Sequence, residues 1–204
     1  MTSAELSALL VLATVSSFTP GPNTTLSTAM AANHGLRHAL RFVCAVPVGW
    51  GLLFTLCATG LGGLVVAWPP LRWGIVVLGN AYLLWLASRL WQSGSLQQAD
   101  SRRLQVGFFQ GVGLQFLNIK AWMLALAIVA GWIAGREDAA ARTLVLLPIM
   151  VAYGFVSNLS YAVAGSMLRH WLAHGQRLLV FNRCMTGALL ATVVWLLQGL
   201  RSTP

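Results

Sequence analysis

The sequence predicts an all-α integral membrane protein with six transmembrane helices. Only 8% of the 204 residues are charged and 57% are hydrophobic, whereas soluble domains carry about 25% charged residues. The mean hydropathy is +0.73, so the chain has too little polar surface to cover a water-soluble globule. Its apolar residues also fall into runs that reach the length of about 20 residues needed to cross a bilayer as helix.

Six candidate spans result when the chain is cut at charged and turn-forming residues. They cover about 5–30, 42–66, 71–92, 108–134, 143–168 and 178–200, and the longest polar connector is 93–105. Residues 1–204 are therefore predicted to form a single transmembrane domain. Two sets of three spans insert in opposite senses, which predicts a 3+3 inverted repeat with halves at about 1–92 and 104–204.

The arginines predict the orientation, because the side of the membrane that carries more of them is cytoplasmic. The first, third and fifth connections with their helix ends hold eight: Arg37, Arg41, Arg89, Arg102, Arg103, Arg169, Arg177 and Arg183. The opposite side holds four: Arg72, Arg136, Arg142 and Arg201. Both termini are therefore predicted to be periplasmic. The net charge of +9 is assigned to these helix ends and their lipid head groups, and no basic cluster indicates nucleic acid.

The first span is predicted to be interrupted at residues 18–23, FTPGPN. Pro20 and Pro22 have no backbone N–H and clash with the preceding helical turn, while Gly21 between them tolerates unusual backbone angles. The carbonyls of residues 16–18 are therefore expected to lose their helical partners. In hydrocarbon, such backbone survives only against protein or a water-filled cavity.

Two interpretations of this interruption stay open. It is either a kink whose carbonyls are satisfied by neighbouring helices, or a break that lines a substrate site. Asn23 and Thr24 place polar side chains directly beside the freed backbone, which favours the substrate site.

Lys120 is the only charged residue well inside a predicted span. A lysine at the bilayer centre costs at least about 3 kcal/mol on insertion scales, so its default interpretation is functional. No acidic residue lies in a span core to pair with it, and its counter-charge is expected to be a ligand carboxylate. The alternative is that the fourth helix begins late, near Asn118, which leaves too few residues to cross the membrane. Asn118 and Lys120 predict a second interruption, in the fourth span.

Further polar side chains occur in the third and fifth spans. The third contains Asn80 and Tyr82; those of the fifth share one helix face and are Tyr153, Ser157, Asn158 and Tyr161. This face is expected either to line a polar path or to form interhelical hydrogen bonds.

Several site types are not indicated. The pairs His34/His38 and His170/His174 have a spacing that metal ligands use, but both are predicted to lie in loops without a neighbouring cysteine or carboxylate. No metal site and no cofactor are predicted. No histidine or acid lies within a span core, so an intramembrane protease is disfavoured and the chain is predicted not to be an enzyme.

Four sequence blocks together resemble the LysE/RhtB-type amino-acid exporters. They are FTPGPN at 18–23, GNAYLLWLASRLW at 79–91, FFQGVGLQFLNIKAW at 108–122, and Asn182-Arg183 followed by Gly187. The resemblance covers essentially the whole chain. It implies six helices, export of small amino acids or their derivatives across a bacterial inner membrane in exchange for protons, and a substrate site where the two interrupted helices meet. Members of this family commonly have a proline after the second asparagine; here Ile119 follows Asn118, which predicts a milder second break.

A site with one lysine and no carboxylate is expected to favour neutral substrates, of the homoserine, threonine, leucine or cysteine type, over lysine or arginine. The candidate substrate-binding residues are Pro20, Gly21, Pro22, Asn23, Thr24, Asn80, Tyr82, Asn118, Lys120, Tyr153 and Asn158. Lys120 is expected to hold the carboxylate and to serve as the candidate proton carrier. The carbonyls of 16–18, with Asn23 and Asn118, are expected to receive the ammonium group.

Two other functions remain as alternatives, a divalent-metal permease using the histidine pairs and a channel for something other than amino acids. The expected partners are the amino-acid substrate, protons and the lipid bilayer. A homodimer is left open.

Overall fold

The computed structural model describes residues 1–93 and 106–201, and the regular elements of these residues are all helices. In chain order they are α1 (Ser3–Phe18), α2 (Pro22–His34), α3 (Leu36–Ala58), α4 (Leu61–Ala67), α5 (Pro69–Trp91), α6 (Phe108–Leu117), α7 (Ile119–Ile128), a π-helical turn (Val129–Ile133), α8 (Ala139–Leu172) and α9 (Arg177–Arg201). Most of the predicted connector at 93–105, with Arg102 and Arg103, lies outside the described residues.

Four helices (α3, α5, α8 and α9) are long and apolar enough to cross a membrane. Two further spans result if the bent pairs α1–α2 and α6–α7 each count as one, which gives up to six. The prediction of an all-helical membrane protein is therefore confirmed, and both predicted interruptions are present.

The second break is present although no proline follows Asn118. The chain bends by 48° between α1 and α2 and by 68° between α6 and α7, although only Asn118 leaves the helix at the second break. No proline is needed, because the Asn118 side chain accepts a hydrogen bond from the backbone N–H of Lys120 at 3.1 Å. An N-cap of this kind begins a new helix at Ile119 with the backbone of Asn118 extended.

The predicted span at 42–66 is displaced in the structure. Its helix α3 begins at Leu36, directly after Gly35, and ends at Ala58 before the separate short helix α4. Gly35 has φ of 85°, a conformation that favours glycine, and it alone separates α2 from α3. The fifth span is longer than predicted, because α8 extends over 34 residues. Charged residues do not end a helix at the membrane interface, and cutting the sequence at charges therefore placed the start of α3 too late and both ends of α8 too far inward.

The interior consists mainly of two apolar clusters, and the two parts of each broken helix pack in different clusters. The first contains residues of α2 and α6 together with parts of α3, α5, α8 and α9, among them Met30, Phe42 and Leu114. The second contains residues of α1 and α7 with other parts of α3 and α8, among them Leu9 and Ile128. Each break therefore lies where the chain passes from one cluster to the other.

Helix α5 supports the second break by close backbone contact. A Cβ atom at Gly79 would lie 1.9 Å from the carbonyl oxygen of Leu117, so only glycine permits this approach. The glycine of the sequence block at 79–91 thus has a packing role: it brings α5 against the residue that precedes Asn118.

Candidate functional site

The first break is a helix end followed immediately by a capped helix start. The N–H of Thr19 is the last to bond back into α1, at 3.0 Å from the carbonyl of Val15. The N–H of Gly21 then donates to the Thr24 hydroxyl at 3.0 Å, and that hydroxyl donates back to the Gly21 carbonyl at 3.1 Å. Pro22 occupies the first turn of α2, where α2 loses no internal hydrogen bond through the missing N–H.

This arrangement removes the helical donors of three successive carbonyls. Pro20 and Pro22 have no N–H for the carbonyls four residues earlier, Ser16 and Phe18. The N–H of Gly21, which would serve Ser17, is directed to Thr24 instead. The sequence-based expectation of freed carbonyls at 16–18 thus has a definite cause at each position.

Helix α8 supplies donors to two of these carbonyls. The hydroxyl of Ser157, a fully buried residue, donates to the Ser17 carbonyl, and the Tyr161 hydroxyl donates to Phe18 at 2.9 Å. The sequence analysis expected these carbonyls to be free to receive a substrate ammonium group. The structure instead pairs them with donors of α8, and the two hydrogen bonds hold α1 against α8. Of the two expectations for this face of α8, interhelical hydrogen bonding describes Ser157 and Tyr161.

Lys120 connects the two breaks. Its side chain extends from the start of α7 to the first break, where Nζ donates to the Thr19 carbonyl at 2.9 Å. A Cβ built on Gly21 would lie 3.2 Å from Nζ, so the absence of a side chain at Gly21 leaves space for the ammonium group. Lys120 takes part in none of the ion pairs among the described residues.

A pair of amides forms the second connection. The Asn23 Nδ2 donates to Gln115 Oε1 at 2.8 Å, and the Gln115 Nε2 donates to Asn23 Oδ1 at 3.2 Å. Gln115 is fully buried and donates also to the Gly111 carbonyl of its own helix. The sequence interpretation omitted Gln115, although a glutamine three residues before Asn118 in an apolar segment was an available signal.

A pocket with about 600 Å³ of empty volume, counted to its open mouth, lies between the two breaks. The predicted site residues that line it are Gly21, Pro22, Asn23, Thr24, Asn118, Lys120 and Asn158. Its other walls include Ser16, Ser17 and Thr19 of the first break and Val46, Pro47 and Trp50 of α3. None of the lining residues is acidic.

Four predicted site residues do not line this pocket. Pro20 is exposed and is not among the lining residues. Tyr82 stacks on Trp85, with ring centroids 5.5 Å apart, and packs against the first apolar cluster. Tyr153 packs against the second cluster, with its hydroxyl 3.4 Å from Thr14 Oγ1. Asn80 is buried beside Gly79, and its Oδ1 has no hydrogen-bond partner among the described residues.

Trp50 is a pocket residue that the sequence interpretation did not identify. It is 8% exposed, and its ring stacks on Phe54 with centroids 5.1 Å apart. Its indole Nε1 is buried and has no hydrogen-bond partner among the described residues. A tryptophan in an apolar run gives no sequence signal for such a role.

A cluster of charges ties α1 to the start of α8. The Glu5 carboxylate lies 3.2 Å from Arg142 Nη1 and 3.5 Å from Arg136 Nη2, and Arg142 Nε lies 2.7 Å from Asp138 Oδ1. Asp138 belongs to the connection before α8, and the hydrogen bond from Arg142 lowers the pKa of its carboxyl group. The cluster fixes the beginning of the first span against the fifth.

The histidine pairs do not lie in loops as predicted. His34, His38 and His170 are in helices, and only His174 is in a turn. Gly35 separates α2 from α3 between His34 and His38, so these two rings do not share a continuous helix face. Within residues 1–93 and 106–201, no group of three or more His, Cys, Asp or Glu side chains is arranged to hold a metal ion.

Comparisons with known proteins identify a family and a set of relatives. The family model of the LysE type translocators matches residues 14–198. A cysteine/O-acetylserine efflux protein of Salmonella choleraesuis is 29% identical over 176 residues, which are 85% of this chain and 89% of the relative. Proteins with the same description from Klebsiella pneumoniae subsp. pneumoniae and Escherichia coli O9:H4 are 29% and 25% identical, over 87% and 83% of this chain and 91% and 86% of the relatives. No solved structure matches the chain.

Proposed function

The chain belongs to the LysE type translocator family, and from that premise we propose that it is a secondary active exporter of small neutral amino acids or their derivatives. The substrate site is the pocket between the two helix breaks. One observation carries this proposal: the only lysine of the chain lines that pocket, reaches from one break to the other, and has no acidic residue among the other lining residues.

The charge of the pocket sets the substrate class. An uncompensated ammonium group attracts a substrate carboxylate and repels a cationic side chain. The starts of α2 and α7 add two positive helix-dipole ends at the same pocket, which also favour a carboxylate. Lysine and arginine are thus disfavoured, and neutral substrates such as cysteine, threonine, homoserine or leucine are favoured. The relatives are described as cysteine/O-acetylserine efflux proteins, and both of those compounds have neutral side chains.

The polar groups that receive the substrate's ammonium group are the side-chain oxygens of Asn23 and Asn118 and the backbone of the first break. The carbonyls of Ser17 and Phe18 already accept one hydrogen bond each from α8, so each of them has one lone pair left for a ligand. The carbonyl of Ser16, which also lines the pocket, is the first candidate, because Pro20 gives it no helical donor.

The proposed coupling ion is the proton, with Lys120 as its carrier. Lys120 is charged while it holds a substrate carboxylate and neutral when the empty carrier returns. The Thr19 carbonyl, 2.9 Å from Nζ, accepts a hydrogen bond from Nζ when no carboxylate is present, whether the amine is charged or neutral. Because arginine does not release its proton at accessible pH, Lys120→Arg separates substrate binding from coupling.

The 3+3 inverted repeat, with halves at about 1–92 and 104–204, is part of this proposal. In its support, one interrupted helix belongs to each half, and both interruptions border one pocket. Periplasmic termini follow from the arginine distribution, and the inner membrane of a bacterium is the proposed location.

The experiment is an efflux panel in proteoliposomes with an imposed proton gradient. Wild-type protein is expected to transport neutral amino acids and O-acetylserine at least about tenfold faster than lysine or arginine, because a like charge in the site costs more than about 1.4 kcal/mol. Lys120→Gln is expected to abolish gradient-driven transport, and Lys120→Arg to retain exchange of substrate without net coupling. Arg37→Gln, which removes a cation from the exposed start of α3, is the matched control and is expected to behave as wild type.

Equal rates for lysine and threonine would contradict the substrate class, and proton-driven transport by Lys120→Gln would contradict the coupling role. No comparable observation supports the metal-permease or channel alternatives.

A further inference from the structure

Trp50 is the pocket residue whose chemistry the proposed transport cycle does not use. Five side-chain atoms of the described residues are buried without a hydrogen-bond partner, and they belong to His34, Trp50, Arg72, Asn80 and Arg89. Of these residues, Trp50 is the one that lines the pocket. A buried polar group without a partner is costly, and each instance in a native protein calls for an explanation.

We propose that the indole N–H of Trp50 determines which substrate side chains are preferred, by donating a hydrogen bond to an oxygen atom in the side chain of the substrate. This inference rests on the proposed function, and deepens it by naming the feature that selects among neutral amino acids. The class it selects is the O-acylated hydroxy amino acids, of which O-acetylserine is the simplest.

The position of Trp50 suits this role. Lys120 and the residues of the two helix breaks contribute most of the polar groups of the pocket. Helix α3 contributes a different part of the lining, formed by Val46, Pro47 and Trp50. A substrate whose carboxylate is held by Lys120 directs its side chain toward the remaining walls. Among the α3 residues that line the pocket, Val46 and Pro47 have apolar side chains, and Trp50 has the one polar side-chain group, its indole N–H. The ring of Trp50 stacks on that of Phe54.

The chemistry of the donor decides which substrate gains. An indole N–H donates and cannot accept. The carbonyl oxygen of an ester is a good acceptor, whereas a thiol sulfur is a weak one. The N–H therefore stabilises bound O-acetylserine and leaves bound cysteine nearly unaffected, although both fit the same amino-acid subsite.

Trp122 provides a matched control. It is also 8% exposed and packs in the same apolar cluster as Trp50, but it does not line the pocket, and its Nε1 already donates to the Phe116 carbonyl at 2.8 Å. Replacing either tryptophan by phenylalanine removes an indole N–H while retaining an aromatic ring.

The test measures initial efflux rates of O-acetylserine and cysteine from proteoliposomes at mildly acidic pH, where the ester does not rearrange. Trp50→Phe is expected to lower the rate for O-acetylserine about tenfold relative to cysteine, which corresponds to one hydrogen bond. Trp122→Phe is expected to change both rates by the same factor. An unchanged O-acetylserine-to-cysteine ratio in Trp50→Phe would overturn the inference while leaving the proposed function intact. Wild-type protein that exports neither compound nor any other neutral amino acid would overturn both.

A second measurement needs no variant. Norleucine has a side chain of similar length to O-acetylserine but no oxygen in it. It is expected to inhibit O-acetylserine efflux by wild-type protein at least about tenfold more weakly than an O-acylated homologue does. Equal inhibition by the two compounds would count against the Trp50 hydrogen bond even if Trp50→Phe does not accumulate in the membrane.

Discussion

Ser157→Ala is the sharpest test of how the first helix break is stabilised. The Ser157 hydroxyl is fully buried and donates to the Ser17 carbonyl. That carbonyl has no substitute donor, because the N–H of Gly21 is already directed to Thr24. Removing the hydroxyl therefore leaves a backbone acceptor unpaired at a buried position.

The expected loss of stability follows from this geometry. Stranding a buried acceptor costs about 1–3 kcal/mol, and the largest interhelical hydrogen bonds measured in membranes are worth about 1.7 kcal/mol. We therefore expect Ser157→Ala to lower the free energy of unfolding by about 1–2 kcal/mol. For a chain of this length, each kcal/mol corresponds to roughly 2–4 °C, so the melting temperature should fall by about 2–8 °C.

The assay is thermal unfolding of detergent-solubilised protein, with Ser160→Ala as the control. Ser160 lies three residues further along α8, and its hydroxyl bonds the Val156 carbonyl of its own helix, which needs no second donor. The same atoms are removed, but no acceptor is stranded, so the melting temperature should change by less than about 1 °C. Equal melting temperatures for the two variants would refute the argument that α8 supplies the missing donor.

Two further predictions concern the second break and the charge cluster. Gly79→Ala places a methyl group 1.9 Å from the Leu117 carbonyl oxygen and is expected to destabilise the protein by about 1–3 kcal/mol and to lower efflux. Gly74→Ala is the control in the same helix, because nothing lies within 4 Å of the added methyl group, and it should be neutral or stabilising. Similar losses of stability in both variants would contradict the close approach of Gly79 to Leu117. Because Arg142 lowers the pKa of the Asp138 carboxyl group, the charged form stabilises the folded protein above the ordinary Asp pKa of about 3.9, and this contribution disappears as pH falls through the lowered folded value. Wild type should therefore melt at a higher temperature than Asp138→Asn near neutral pH and lose that advantage on acidification. Glu137→Gln is the control, because it removes a neighbouring carboxylate that takes part in no ion pair among the described residues; an equal loss of melting temperature in both variants near neutral pH would contradict the role of the Asp138–Arg142 pair.

The sequence was sufficient to predict both helix breaks, because each rests on local chemistry. Two prolines around Gly21 remove hydrogen-bond donors wherever they occur, and a lone lysine in an apolar run is expensive in any membrane fold. Local sequence does not reveal which groups from distant parts of the chain form hydrogen bonds with these polar atoms. Ser157 and Tyr161 were recognised as one polar face, but a helix face alone does not reveal that it lies against the Ser17 and Phe18 carbonyls.

The residues that sequence reasoning missed or misplaced share a physical cause. Gln115 matters because it pairs with Asn23 between α6 and α2, and Trp50 because its N–H has no hydrogen-bond partner among the described residues. Both properties arise only when the helices pack. Conversely, Tyr82 and Asn80 are polar residues in an apolar span that do not line the pocket. The second break forms without a proline, because the Asn118 side chain caps the start of α7 and Gly79 allows α5 to pack against the residue that precedes Asn118.

Apart from the Gly21–Thr24 hydrogen bonds, the polar contacts described at the first break come from the second half of the chain. The carbonyls of Ser17 and Phe18 are served by α8, Thr19 by Lys120, and the amide of Asn23 by Gln115. Hydrocarbon supplies no donors or acceptors, so an isolated first half would leave these groups unpaired in the bilayer. The broken helix and the pocket therefore form together when the two halves pack. Any movement that separates α1 from α7 or α2 from α6 must exchange these hydrogen bonds for others. Under the proposed function, the carboxylate and ammonium group of a bound amino acid offer replacements at the same place.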